Sequence, residues 1–122
     1  MDYNKRDKIL GIDNYNYSCG IYRMTFDTEK VDQLLELGFI DPDGRQNDSP
    51  RAQTMVDFVH DNPKFKLHGY VVSGVRSDAR ISFEGVVAQE PLTDKERADF
   101  LYVFRRADDL QMIENYTMAW YD

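Results

Sequence analysis

Four stretches of this chain alternate apolar with polar side chains at a period of two, which confines it to a sheet with one covered and one open face. In Gly20 to Phe26, the residues Tyr22, Met24 and Phe26 fall on one side, and Ile21, Arg23 and Thr25 on the other. In Phe65 to Ser73, Phe65, Leu67 and Val71 oppose Lys66, His68, Tyr70 and Val72. In Arg80 to Ala88, Ile81, Phe83 and Val87 oppose Arg80, Ser82, Glu84 and Val86. The short link Gly74 to Asp78 predicts an antiparallel hairpin between these two. Leu110 to Tyr121 reads as one last strand, with Leu110, Met112, Tyr116, Met118 and Trp120 on its apolar side and Gln111, Asn115 and Thr117 on the other. Trp120 is then expected to close the core, while Tyr121 faces outward as an interface or scattered surface aromatic.

Helix signals lie between these runs. Asp27 or Thr28 caps a helix carrying Val31, Leu34 and Leu35 on one face, and Gly38 ends it. Ser49 as cap and Pro50 as first residue open a second, with Ala52, Met55, Val56 and Val59 as its stripe. Asp61-Asn62-Pro63 stops it. Thr93-Asp94-Lys95-Glu96 is a capping box for a third helix reaching about Arg106, with Ala98, Leu101 and Tyr102 inward and Phe104 at the margin.

This order predicts a single α+β domain over residues 20–122, an antiparallel four-stranded sheet with helices on one face. Setting the second helix aside, the β-α-(α)-β-β-α-β order resembles that of ferredoxin-like domains, a likeness of element order with no motif behind it. Residues 1–19, rich in Tyr, Asn and charge, read as an N-terminal extension that is partly ordered at most, Ile9 to Ile12 adding a short strand or packing on the domain.

A chain of 122 residues, 42% of them hydrophobic, buries enough surface to fold without a disulfide or metal staple. Cys19 is the single cysteine, which suits a reducing compartment and a cytoplasmic protein. The apolar run Ile9 to Ile12 is too short for a signal peptide or a membrane span, so no membrane association is expected. In a cytoplasmic chain the triplets Asn16-Tyr17-Ser18 and Asn115-Tyr116-Thr117 are not glycosylated. A net charge of −7 argues against nucleic acid, since Arg105-Arg106 is followed at once by Asp108-Asp109 and no basic patch is visible. RNA-binding modules of the same element order stack bases on free-face aromatics, and here Arg23, Thr25, Ser82 and Glu84 hold those positions.

The open face collects Arg23, Thr25, His68, Tyr70, Arg80, Ser82, Glu84, Asn115 and Thr117. His68 and Glu84 share a parity across the hairpin, and a histidine oriented by a carboxylate is a general-base arrangement. Arg23, Arg80 and Tyr70 beside it could hold a small anionic ligand. Opposite charges across antiparallel strands also stabilise a sheet with no function attached, and that reading outweighs catalysis. The Asp41 to Asp48 loop has turn chemistry; counted from Asp41 as a calcium loop, Gly44 falls fourth and Ala52 twelfth, so the pattern fails. His60 with Asp57 and Asp61 offers too few ligands for a metal, and Cys19 reads as an idle or buried thiol. No nucleotide or cofactor motif is present, so neither metal nor cofactor is expected.

The expected function is a small, acidic, non-enzymatic interaction domain that binds a protein partner or forms a homodimer through the open face. The alternative is a small-ligand-binding domain or small enzyme using the polar face around His68 and Glu84. The candidate contact residues are Arg23, His68, Tyr70, Arg80, Ser82 and Glu84. Concavity separates the two readings, because a flat face suits a partner and a hollow around His68 suits a ligand.

Overall fold

The computed structural model describes residues 1–13 and 20–122, so Cys19 and the Asn16 triplet lie outside the described residues. Along the chain run α1 (Tyr3–Leu10), β1 (Ile21–Phe26), α2 (Thr28–Glu36), α3 (Ala52–Asp61), β2 (Phe65–Val72), β3 (Ile81–Ala88), α4 (Asp94–Phe104), β4 (Asp109–Ile113) and β5 (Tyr116–Trp120). No helix among the described residues is long and apolar enough to cross a membrane.

Local chemistry sets most boundaries. The Asp27 carboxylate accepts from the backbone N–H groups of Glu29 and Lys30 and starts α2. Gly38, at φ +82°, follows its end. Thr93 and Glu96 form the reciprocal capping box of α4. The start of α3 differs from expectation. It begins at Ala52 behind Arg51, which makes no side-chain cap. The Ser49 hydroxyl instead accepts from the Gln46 N–H at 2.8 Å, closing the preceding loop. On α4 the inward residues are Phe100 and Phe104, with Val103 partly buried against the core. Leu101, Tyr102 and Ala98 are exposed. Phe100 and Phe104, one turn apart, are wholly apolar, whereas turning the other face inward would bury the Tyr102 hydroxyl.

Near the N-terminus, the Asp2 carboxylate accepts from the Lys5 N–H at 3.0 Å and starts α1. Gly11, at φ +74°, ends it, so Ile9 to Ile12 form a helix end and no strand. Leu10 and Ile12 join the hydrophobic core. The fully buried Arg6 donates to the Val72 carbonyl at 3.0 Å and to Asp7 at 2.9 Å.

The sheet has five strands, all antiparallel, in the order β1-β2-β3-β5-β4. This corrects the four-stranded expectation: β1 to β4 follow the expected β-α-(α)-β-β-α-β order along the chain, β5 is added, and the likeness to a ferredoxin-like sheet does not extend to the pairing. One helix between two strands returns the chain parallel, so in an all-antiparallel sheet those two strands need a third between them, as β5 lies between β3 and β4. Two helices, α2 and α3, separate β1 from β2 and reverse the chain once more. The two strands therefore pair directly, Ile21 to Phe26 against Val72 to Leu67.

The other correction concerns the last segment, which is a hairpin. Ile113 pairs with Tyr116 across the two-residue turn Glu114-Asn115, Asn115 taking φ +62°. Residues 113 and 116 share a face, so the parity of alternation inverts at the turn. Met112 and Ala119 join or pack against the core, whereas Tyr116, Met118 and Trp120 lie on the open face. Thr117, expected on the open face, is buried. Tyr121, expected outside, is 1% exposed and closes an aromatic cluster with Phe104, 6.4 Å between ring centres. Phe58, Phe65, Phe100 and Phe104 complete that cluster at 5.0 to 5.6 Å.

A second parity change occurs within β3. His68 pairs with Gly85 but Gly69 pairs with Phe83, leaving Glu84 as the extra residue of a bulge. Ile81 and Phe83 before it and Val86 and Ala88 after it are core residues. Val87, read from the sequence as inward, is on the open face.

Candidate functional site

The pairing lays out the open face in rows. Arg23, Tyr70 and Ser82 are successive partners on β1, β2 and β3. The next row runs Thr25, His68, Gly85, Trp120 and Asp109 across all five strands. Beyond it come Lys66, Val87, Met118 and Gln111.

The bulge drops Glu84 between the first two rows and buries it to 4% exposure. One carboxylate oxygen accepts from Arg23, and the other accepts from the Trp120 indole N–H at 3.2 Å. Next to this lies a network closed by the loop before α3. The Gln46 side-chain oxygen accepts from the Tyr70 hydroxyl and from the Ser82 hydroxyl, each at 2.9 Å. Arg80 donates to the Tyr70 oxygen at 3.1 Å and pairs with Asp78 at 3.3 Å. The guanidinium carbons of Arg23 and Arg80 each lie 5.5 Å from the centre of the Tyr70 ring.

The six residues singled out from the sequence are thus brought onto one face, five of them in two hydrogen-bonded groups that meet where Arg23 lies over the Tyr70 ring, and His68 beside them. Both guanidinium groups are already engaged by carboxylates of the chain. His68 does not bond to Glu84. Its Nε2 donates to the Ala119 carbonyl at 2.9 Å, so in the neutral ring Nδ1 is the acceptor. Burial pushes its pKa below 6.5, against the opposing pull of that carbonyl and of Glu84.

On the other side of Trp120 the face sinks into a hollow of about 790 Å³. Tyr116, Met118 and Trp120 of β5 line one side, Lys66 and His68 of β2 the other, with Val87 of β3 between them. Sequence reasoning missed Trp120, Met118, Tyr116, Val87 and Lys66 as site residues. Two signals for them were present: Gly85 inside a strand, which marks a bulge, and Asn115 between two apolar runs, which tolerates a positive φ.

No group of three or more His, Cys, Asp or Glu among the described residues is placed to hold a metal ion. His60 instead ties α3 to α2, its Nε2 lying 2.8 Å from Asp32 Oδ1. In the Asp41 loop, Asp43 N–H donates to the Asp41 side chain at 3.0 Å and Arg51 bonds Asp43, as in a capped turn.

A scan against protein-family models, a search of curated proteins and a search of solved structures found no match to this chain.

Proposed function

We propose that the chain is a non-enzymatic binding domain whose site is the hollow on the open sheet face, and that its occupant is a small molecule. One observation carries this reading. The concavity of about 790 Å³ has apolar side chains on one flank and polar ones on the other, a size within the roughly 300–1,000 Å³ of small-ligand sites. Binding is favoured over catalysis because the candidate acid–base pair is committed elsewhere. Both Glu84 oxygens are bonded, and the His68 Nε2 proton is held by a backbone carbonyl.

Trp120 is the only tryptophan, so its emission and the His68 ring resonances both report occupancy. Small aromatic acids, amides or amines are expected to move both signals at about 1 mM or below, with the solution mass unchanged. A panel of all three classes that leaves both signals still at that concentration overturns the reading.

A second reading, self-association, is supported by β4, an edge strand on which Ile113 is 66% exposed. It requires a concentration-dependent dimer in light scattering that Ile113→Lys abolishes.

A further inference from the structure

We infer that the hollow takes a planar aromatic anion, its ring against Trp120 and Met118 and its acidic group at Lys66, an inference that rests on the binding reading above.

The register provides the first argument. Lys66, Val87 and Met118 are direct neighbours on three strands, with Gln111 beyond Met118, so one cation stands two apolar side chains away from Gln111 at the far end of the row. Val87 between them is short and half-buried, which leaves space above it for a flat group. The second argument is charge. In a chain of net charge −7, carboxylates outnumber cations, and the other cations of this region are already paired. Lys64 is held by Glu96 and by the Pro91 carbonyl, each at 2.9 Å. Arg23 is held by Glu84, and Arg80 by Asp78. Lys66 is exposed and makes no ion pair or side-chain hydrogen bond with any described residue. The acidic residue of the hollow, Glu90, lies past the end of β3, outside the row that carries Lys66.

The third argument is the chemistry of Trp120. Its one donor is spent on Glu84, so it presents a ring to the hollow and no polar group. An aromatic ring is complemented by another in an offset or edge-on arrangement. A ligand that satisfies both ends is flat and apolar at one end and anionic at the other. A carboxylate at Lys66 adds a coulombic attraction to the ammonium that a neutral acceptor lacks.

The test titrates the full chain with naphthoate and with its uncharged isostere naphthamide, at low salt and neutral pH, following Trp120 emission and calorimetry. Naphthoate is expected to bind about threefold more tightly than the amide, the size of an exposed ion pair. Lys66→Met should bring the acid down to the affinity of the amide and leave the amide unchanged. An unaltered thermal transition of Lys66→Met is the control for folding. Equal affinities in the wild-type chain overturn the anion inference while the binding reading stands. A preference that survives in Lys66→Met also overturns it. Binding of neither compound, nor of the wider panel above, removes the binding reading and this inference with it.

Discussion

The His68 ring reaches over Gly85 to the backbone of the third strand in line, its Nε2 donating to the carbonyl oxygen of Ala119 at 2.9 Å. In register His68 faces Gly85 and Gly85 faces Trp120, so the imidazole occupies the space a side chain on β3 would fill. A Cβ at Gly85 would stand 1.9 Å from the Ala119 oxygen and 3.0 Å from His68 Nε2. The bulge, the glycine and the histidine are therefore one device that holds β2, β3 and β5 in the alignment the hollow needs.

Gly85→Ala should consequently damage the fold, since the backbone there is at φ +155° and the clash is with main chain, which cannot rotate away. The expected loss is about 3 kcal/mol or more, read from urea unfolding midpoints. A variant as stable as the parent would mean that the bulge is dispensable.

The two histidines should titrate on opposite sides of 6.5. Burial lowers His68, while the hydrogen bond to Asp32 raises the exposed His60. For His68 the folded state holds the proton less tightly than the unfolded one. Its neutral form is tolerated fully above about 6.5, and stability declines as pH falls toward the lowered folded value. His60 contributes below about 6.5 and loses that contribution as pH rises through its raised value. Proton NMR of the two rings checks this directly. His68→Gln should flatten the acid side of the stability curve, and Asp32→Asn should return His60 toward 6.5. Coincident titration of the two rings would contradict the site geometry.

Arg23 and Glu84 should be coupled, and unequally. Arg23→Met leaves a buried carboxylate with only the Trp120 donor, at a cost of about 2 kcal/mol. Glu84→Gln keeps an acceptor for Trp120 and frees Arg23, whose side chain is 60% exposed, to solvent, costing about 1 kcal/mol. The double variant should fall short of the sum by about 1 kcal/mol. Strict additivity in a denaturation cycle would show that the pair contributes nothing.

Gln46→Ala removes the acceptor shared by Tyr70 and Ser82 and should cost about 1–2 kcal/mol. The Trp120 emission should stay as in the parent, because that network lies on the far side of Glu84 from the hollow. A large emission change would show that the loop before α3 shapes the site as well.

Much of this architecture was legible in the residues. The alternation in Gly20 to Phe26 and Phe65 to Ser73 put Phe26, Leu67 and Val71 inside, where they are. The cap signal at Asp27 or Thr28, resolved to Asp27, and the box at Thr93 marked two helix starts correctly. The antiparallel hairpin of β2 and β3 followed from a short link. The hollow did not follow, because its apolar side comes from Tyr116, Met118 and Trp120, which the same alternation assigned to the core.

Alternation states which residues of a strand lie together, and that much the sequence determined alone: an α+β chain, half-exposed strands, their helices and one polar face. It does not state which of the two faces is covered once the backbone has slipped by one residue or turned. The extra residue at Glu84 and the turn at Glu114-Asn115 each invert the parity. Only the pairing of β5 with both β3 and β4 decides the outcome, since a neighbouring strand fixes the register through hydrogen bonds that no local pattern contains. That non-local pairing sends Tyr121 into the core and Trp120 onto the open face.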